Sequence, residues 1–175
     1  GGIGIQECAY GIRQGGIIVT AKKQISLCMV TYNDEKHISD CLCDLREYVD
    51  ETIVADIGST DQTVELAKRT GAEVYRFDWN DSFSDARNFC MDRSGGRWVL
   101  FLQADESISA EHLKNLAAFI KNPNQEGYLF YYDNSINAQG VSSPNSRLRL
   151  IRNRKEYRYL CRAYERLPDE QIASI

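Results

Sequence analysis

Asp56 and Asp105 are the residues of this chain best placed to do chemistry. Each follows an apolar run: Thr52 to Ala55 leads into Asp56 and then Gly58-Ser59-Thr60-Asp61, while Arg97 to Leu102 leads into Gln103-Ala104-Asp105-Glu106. Runs of that length read as buried strands, and each is followed by a helical pattern. Strands alternating with helices build a parallel sheet whose carboxyl ends share one rim, and open α/β sheets bind ligands there. Two carboxylates delivered to one rim suggest a nucleotide-sugar site.

The surrounding elements fit that plan. Ile25 to Thr31 is a continuous apolar run of buried-strand length, ended by Tyr32-Asn33-Asp34. Ile38, Cys41, Leu42, Leu45, Tyr48 and Val49 then form the stripe of an amphipathic helix. Ser59 and Gln62 have capping-box spacing before a helix that Gly71 ends as a left-handed cap. Glu73 to Phe77 reads as a strand, and Ser82 to Arg93 as a helix with Phe83, Ala86 and Phe89-Cys90 on one face. After the turn pair Gly95-Gly96, the most apolar strand belongs at the centre of the sheet. Ser109 opens a further helix, which Pro123 stops. From Gly127 the character changes: Gly127 to Tyr132 is an aromatic strand, Asn134 to Pro144 is loop-like, and Arg147 to Ile151 alternates as a half-buried strand. A parallel nucleotide-binding half is thus expected to join a more antiparallel acceptor half.

Bulk properties exclude other classes. With 175 residues, 43% hydrophobic and 26% charged, the chain suffices for one domain with a core and is too short for two ordinary ones. It lacks an initiating Met and is expected to be cut from something longer. Residues 1 to 24, glycine-rich and without periodicity, read as a tail or tag-like segment, and 25 to 175 as the domain, truncated at its C-terminus. Gly2-Ile3-Gly4 is no dinucleotide loop, because Glu7 occupies the third glycine position and no strand precedes it. The net charge of -4 gives no footprint for nucleic acid. Apolar runs such as Trp98 to Leu102 fall far short of the roughly 20 residues that span a bilayer. Six irregularly spaced cysteines read as reduced thiols in a cytoplasmic protein, and Cys41-x-Cys43 points to two sides of a helix rather than to one metal.

Five blocks in order then identify a resemblance: Val30-Thr31-Tyr32-Asn33-Asp34-Glu35, Asp56 to Thr63, Phe83-Ser84-Asp85-Ala86-Arg87-Asn88, Gln103-Ala104-Asp105-Glu106, and Arg149-Leu150-Ile151-Arg152-Asn153. From Ile25 to about Glu165 the chain resembles glycosyltransferase family 2. These are inverting enzymes of the GT-A fold, and the likeness is to the branch with lipopolysaccharide-core glucosyltransferases and bacteriocin peptide glycosyltransferases. The resemblance implies a nucleotide-sugar donor, with UDP-sugar expected, a sugar, lipid-linked or peptide acceptor, and a divalent metal, Mn or Mg.

It also implies roles by position. Thr31, Tyr32 and Asn33 would hold a flat base, although Asn33 reads equally as a helix cap. Asp56 ends a strand where no cap is needed, which favours a carboxylate that accepts from a base imide or ribose. Glu35, Ser59 and Ala104 would line the nucleotide. Asp61 would join them, although negative charge is favoured in the first turn of a helix anyway. Arg87 would hold the diphosphate bidentately or else be a solvated surface arginine.

Two positions depart from the family. Its acid pair after the central strand is here Gln103 and Asp105, so Asp105 would hold the metal largely alone while Gln103 reaches a ribose. Near the C-terminus the family's histidine is replaced by Tyr164, and Glu165 is the candidate general base. Loss of metal-side groups leaves a catalytically relaxed nucleotide-sugar or carbohydrate binding domain as the competing reading. A nucleotidyltransferase is disfavoured, since Thr31 to Lys36 contains no glycine to cradle a triphosphate.

Overall fold

The structure is a computed structural model that describes residues 23–132 and 145–161. The expectations for residues 1–22, for Asn134 to Pro144 and for Tyr164 and Glu165 lie outside the described residues. The chain runs β1 (Ile25–Thr31), α1 (Ile38–Leu45), β2 (Glu51–Asp56), α2 (Thr63–Arg69), β3 (Glu73–Arg76), α3 (Phe83–Arg93), β4 (Trp98–Phe101), α4 (Ala110–Phe119), β5 (Gly127–Tyr132) and β6 (Asn145–Arg152). They form a six-stranded sheet in the order β3-β2-β1-β4-β6-β5. The first four strands of that order are mutually parallel, and β6 runs antiparallel to both β4 and β5. A parallel half therefore meets an antiparallel one at β4, and β1 and β4 occupy the middle.

Helices cover both faces. On one face Leu27 and Met29 of β1 pack with Ile38, Leu42 and Leu45 of α1, Ala67 of α2, and Leu113 and Leu116 of α4. On the other, Cys28, Ile53, Val99 and Phe101 pack against Cys90 and Met91 of α3 and the later Tyr157 and Tyr159. Burial on both faces explains why β1, β2 and β4 read as continuous apolar runs. Each fully buried Leu or Ile contributes about 1.5–3 kcal/mol.

Local departures have identifiable causes. Helix α1 ends at Leu45, and Tyr48 and Val49 continue its stripe only as partly buried residues. Ser82 and Ser109 cap α3 and α4 by accepting from the N–H groups of Asp85 and His112. Phe83 is exposed rather than inward-facing, because Ser84, Ala86, Arg87, Cys90 and Met91 form the buried face of α3. The expected Ser59–Gln62 capping box does not form: Gln62 is the N-cap without a side-chain bond, and the Ser59 hydroxyl is used elsewhere. Gly71 is left-handed, as expected of a helix end, with φ 91°.

The half-buried pattern expected of Arg147 to Ile151 is also corrected. Arg149 is 1% exposed and ion-pairs with Glu106, while Leu150 and Ile151 are both buried. Pairing with β5 passes from Tyr128 with Leu150 to Leu129 with Leu148, which leaves Arg149 as an extra residue in β6 and breaks the alternation there, and the buried guanidinium is matched by a carboxylate. Asn153, just beyond β6, donates to the carbonyls of Ser94 (3.1 Å) and Gly96 (2.9 Å). Asn153 thereby secures the turn that leads into β4. At the Gly95-Gly96 turn, a Cβ on Gly96 would stand 2.5 Å from Ser26 Oγ and 2.8 Å from Ser26 N, so only glycine fits against β1.

Candidate active site

The carboxyl ends of β2, β1 and β4 lie side by side. Thr31 and Asp56 are register partners, and Leu102 N–H bonds to Cys28 O on the other side of β1. Thr31 is buried and its hydroxyl donates to Asp34 Oδ2 at 2.7 Å, so its side chain braces the turn from within. Tyr32 is 56% exposed, with its N–H held by the same Asp34 oxygen at 3.1 Å. Asp56 is 4% exposed, and its carboxylate accepts from the N–H groups of Gly58 and Ser59, both at 3.2 Å. The expectation that no cap is needed there is thus corrected, since Asp56 closes its own loop. A carboxylate has about four acceptor sites, so capacity for a ligand remains.

The residues after β1 and β2 interlock. Asn33 does not cap α1, whose N-cap is His37 without a side-chain bond. Its N–H donates to Ser59 Oγ (2.9 Å), and its amide oxygen accepts from Thr60 N–H (2.8 Å). Asp34 N–H donates to Thr63 Oγ1 at 2.7 Å, Glu35 N–H to Asp61 Oδ2 at 3.2 Å, and Gln62 N–H to Glu35 Oε2 at 3.1 Å. Asp61 lies just before α2 rather than within its first turn, and accepts from both the N–H and the hydroxyl of Thr63. Desolvation pushes its carboxyl up, but the bonds from Thr63 and Glu35 prevail and hold it below its ordinary value. Asn33, Glu35, Ser59 and Asp61 are therefore brought together, primarily with one another. Asp34, Thr60 and Thr63, which complete this junction, were not among the expected site residues; the first lies in the first block and the other two in the second.

Beyond β4, Ala104 is buried, while Gln103 and Asp105 are exposed. Among the described residues neither of those two side chains has a hydrogen-bond or ion-pair partner. Glu106 behind them is fixed, one carboxylate oxygen accepting from Gln103 N–H (2.9 Å) and the other from Arg149. Among the described residues, no set of three His, Cys, Asp or Glu side chains is gathered for a metal ion. Cys41 is buried beneath this turn, where desolvation and then Asp44, Glu106 and Asp105 push its thiol up to about 12, so it is no thiolate ligand. Cys43 on the same helix is only partly buried.

Arg87 is not a solvated arginine. It is 9% exposed, its guanidinium 5.3 Å from the Phe101 ring centroid and 5.4 Å from that of Tyr159. Its neighbours on α3 fasten the last described segment. Asn88 donates to Tyr159 O (3.0 Å) and accepts from Tyr159 N–H (2.8 Å), and Ser84 Oγ donates to Leu160 O at 2.9 Å. The chain is thereby held at the start of α3 as far as Cys161, four residues before Glu165.

A parallel half-sheet ending in Asp56 and the Asp105 turn, continued by an antiparallel half, defines the GT-A fold of nucleotide-sugar transferases. The Glycosyl transferase family 2 model matches residues 26–169, and the chain belongs to that family. It is similar to a TPR repeat-containing protein of Synechococcus elongatus, 35% identical over 156 residues that make up 89% of this chain and 38% of that one. An uncharacterized glycosyltransferase of Rickettsia typhi is 34% identical over 62% of this chain and 37% of its own. The prophage-derived glycosyltransferase SunS of Bacillus subtilis is 33% identical over 51% and 22%. The chain thus spans between 22% and 38% of the length of these relatives. Among solved structures, Mycobacterium tuberculosis glucosyl-3-phosphoglycerate synthase with uridine diphosphate has TM-score 0.56 at 21% identity, covering 72% of this chain and 52% of that one. A Pyrobaculum calidifontis mannosyltransferase with GDP-Man and Mn2+ gives TM-score 0.52 at 20% identity, covering 62% and 35%. These two likenesses concern the fold. No described helix is long and apolar enough to cross a membrane.

Proposed function

We propose that this chain is the catalytic domain of an inverting glycosyltransferase that moves a sugar from a nucleoside diphosphate sugar, a UDP-sugar, to a sugar, lipid-linked or peptide acceptor. The observation that carries this reading is the convergence of the Tyr32 ring, the Asp56 carboxylate and the exposed Asp105 carboxylate at one rim, in a chain of this family. Tyr32 offers a face to the base, and Asp56 an acceptor for an imide or ribose. Arg87, framed by two rings, supplies positive charge on the α3 side. The acceptor hydroxyl would attack the anomeric carbon as the bond to the diphosphate breaks, with Glu165 taking the proton. Four residues reach at most about 14 Å, which limits how far from Cys161 that carboxylate can act. Among the described residues no two cysteines are joined in a disulfide, in keeping with a cytoplasmic setting.

The donor set fits a metal that arrives with its ligand rather than a preformed metal site. Asp105 is a hard, exposed carboxylate without a protein partner among the described residues, and Gln103 adds an uncharged oxygen. They would hold Mn or Mg only together with diphosphate oxygens. The ion, when bound, neutralises charge on the leaving group. The neutral Gln103 also favours a second reading, a binding domain that has lost catalysis.

Titration of the chain with UDP, GDP and their sugars, with Mn or with EDTA, tests the proposal. Nucleotide binding is expected, with Mn bound only in its presence, and Gln103→Asp should tighten Mn and raise donor hydrolysis. Absence of nucleotide binding overturns the reading, and tight Mn binding without nucleotide overturns the metal assignment. Binding that is indifferent to EDTA, with no turnover after Gln103→Asp, selects the second reading.

A further inference from the structure

The turn after β1 and the loop after β2 behave as one body, and Asn33 is its central joint. Asn33 has φ 54°, a left-handed conformation that Asn tolerates better than most non-glycine residues. In that conformation its main-chain and side-chain groups both face the neighbouring loop: its N–H donates to Ser59 Oγ and its Oδ1 accepts from Thr60 N–H. The group bonded to the side chain is a main-chain N–H, so the amide oxygen, and not its nitrogen, must lie there. The Thr60 hydroxyl adds a longer contact to the same oxygen at 3.4 Å. Immediately before Asn33 stands Tyr32, and immediately before Ser59 stands the loop that Asp56 closes. The joint therefore fixes the distance between an exposed ring and a nearly buried carboxylate that come from different strands.

We infer that Asn33 is a positioning residue: it sets nucleotide affinity by locking the Tyr32 turn to the Asp56 loop, and does not touch the nucleotide. This rests on the nucleotide reading proposed above. Thr60 N–H turns the Asn33 amide oxygen toward the neighbouring loop, so base recognition by this amide, the expectation from sequence, would fall to its NH2 group, which Asn33→Asp removes.

Asparagine and aspartate differ at this joint in an informative way. Aspartate tolerates the same backbone and presents the same acceptor to Thr60 N–H, but it cannot donate to a base and brings a negative charge. Calorimetric titration of the full chain with UDP and GDP should therefore compare Asn33→Ala, Asn33→Gly, Asn33→Asp, Ser59→Ala and the Asn33→Ala/Ser59→Ala pair. Circular dichroism confirms folding, and Asn33→Gly, which keeps the left-handed turn while losing the acceptor, replaces Asn33→Ala if the latter does not fold. Asn33→Ala and Ser59→Ala are expected to weaken binding about tenfold each, the scale of one lost hydrogen bond's ordering. The pair should be little worse than either alone, and Asn33→Asp should stay close to the unaltered chain. Failure of Asn33→Asp to rescue, or full multiplication of the two losses, overturns the positioning role while leaving the nucleotide site intact. If the unaltered chain binds neither nucleotide, the site reading itself falls, and the positioning role with it.

Discussion

At the scale of single residues, Asp56 combines two jobs that are usually separate. Its carboxylate closes the Gly58–Ser59 loop and stands at the edge of the proposed nucleotide site with acceptor capacity left. Asp56→Ala should therefore weaken UDP binding by about 1–3 kcal/mol, the penalty for leaving a ligand group without its partner. Calorimetric titration checks this, and unchanged affinity would remove Asp56 from the site. Asp56→Asn keeps an acceptor oxygen for the loop, so it should retain more of the loop's stability while still losing affinity. Asp105 differs in kind: no described residue hydrogen-bonds or ion-pairs with its side chain, so its replacement should leave folding unaffected.

At the scale of elements, the block from Arg149 to Asn153 is a fastener for β4. The buried Arg149 pairs with the partly buried Glu106 beyond one end of that strand, and Asn153 grips the Gly95-Gly96 turn at the other. Glu106→Ala takes the carboxylate from a buried guanidinium and should cost about 3–5 kcal/mol, read from urea midpoints. Adding Arg149→Met should recover part of that loss, because the buried charge goes too; a double variant less stable than Glu106→Ala would show that Arg149 matters chiefly through other contacts. Elements were legible in sequence where a single local signal decides them. Strands β1 and β5 end where their apolar or aromatic runs meet turn residues, and α3 and α4 begin at the serines that cap them. Arg149 was not legible, since a period of two marks an arginine between leucines as outward-facing, and only the register shift between β5 and β6 breaks that period. The joint of Asn33 with Ser59 and Thr60 was equally hidden. Its partners are 26 and 27 residues away, and hydrogen bonds between loops leave no periodic trace. Arg87 was placed on the right helix, but its burial between Phe101 and Tyr159 depends on a segment more than 70 residues later.

At the scale of the whole molecule, the sheet has two worked ends. The carboxyl ends of the parallel strands carry the candidate site. At the opposite ends, Glu51 gathers the starts of β1, β2 and β4 by accepting from Lys23, Ser26 and the N–H groups of Gly95 and Gly96. Stability near this junction should depend on pH with a definite sign. Burial pushes the Glu51 carboxyl up, but the bonds from Lys23, Ser26 and Gly95 outweigh it and hold the group below its ordinary value. A carboxyl that is more acidic in the folded state binds its proton more readily when unfolded. Its contribution is therefore complete above the ordinary glutamate range, about pH 4.3, and is lost as pH falls through the folded value. Urea midpoints of the unaltered chain and Glu51→Gln should differ at pH 7, and the gap should narrow on acidification below about pH 4. A gap of constant size would mean that Glu51 acts by shape rather than charge. Because the junction lies at the far end of the strands from Asp56 and Asp105, nucleotide affinity at pH 7 should be the same in both proteins, which separates stability of the sheet from chemistry at its rim.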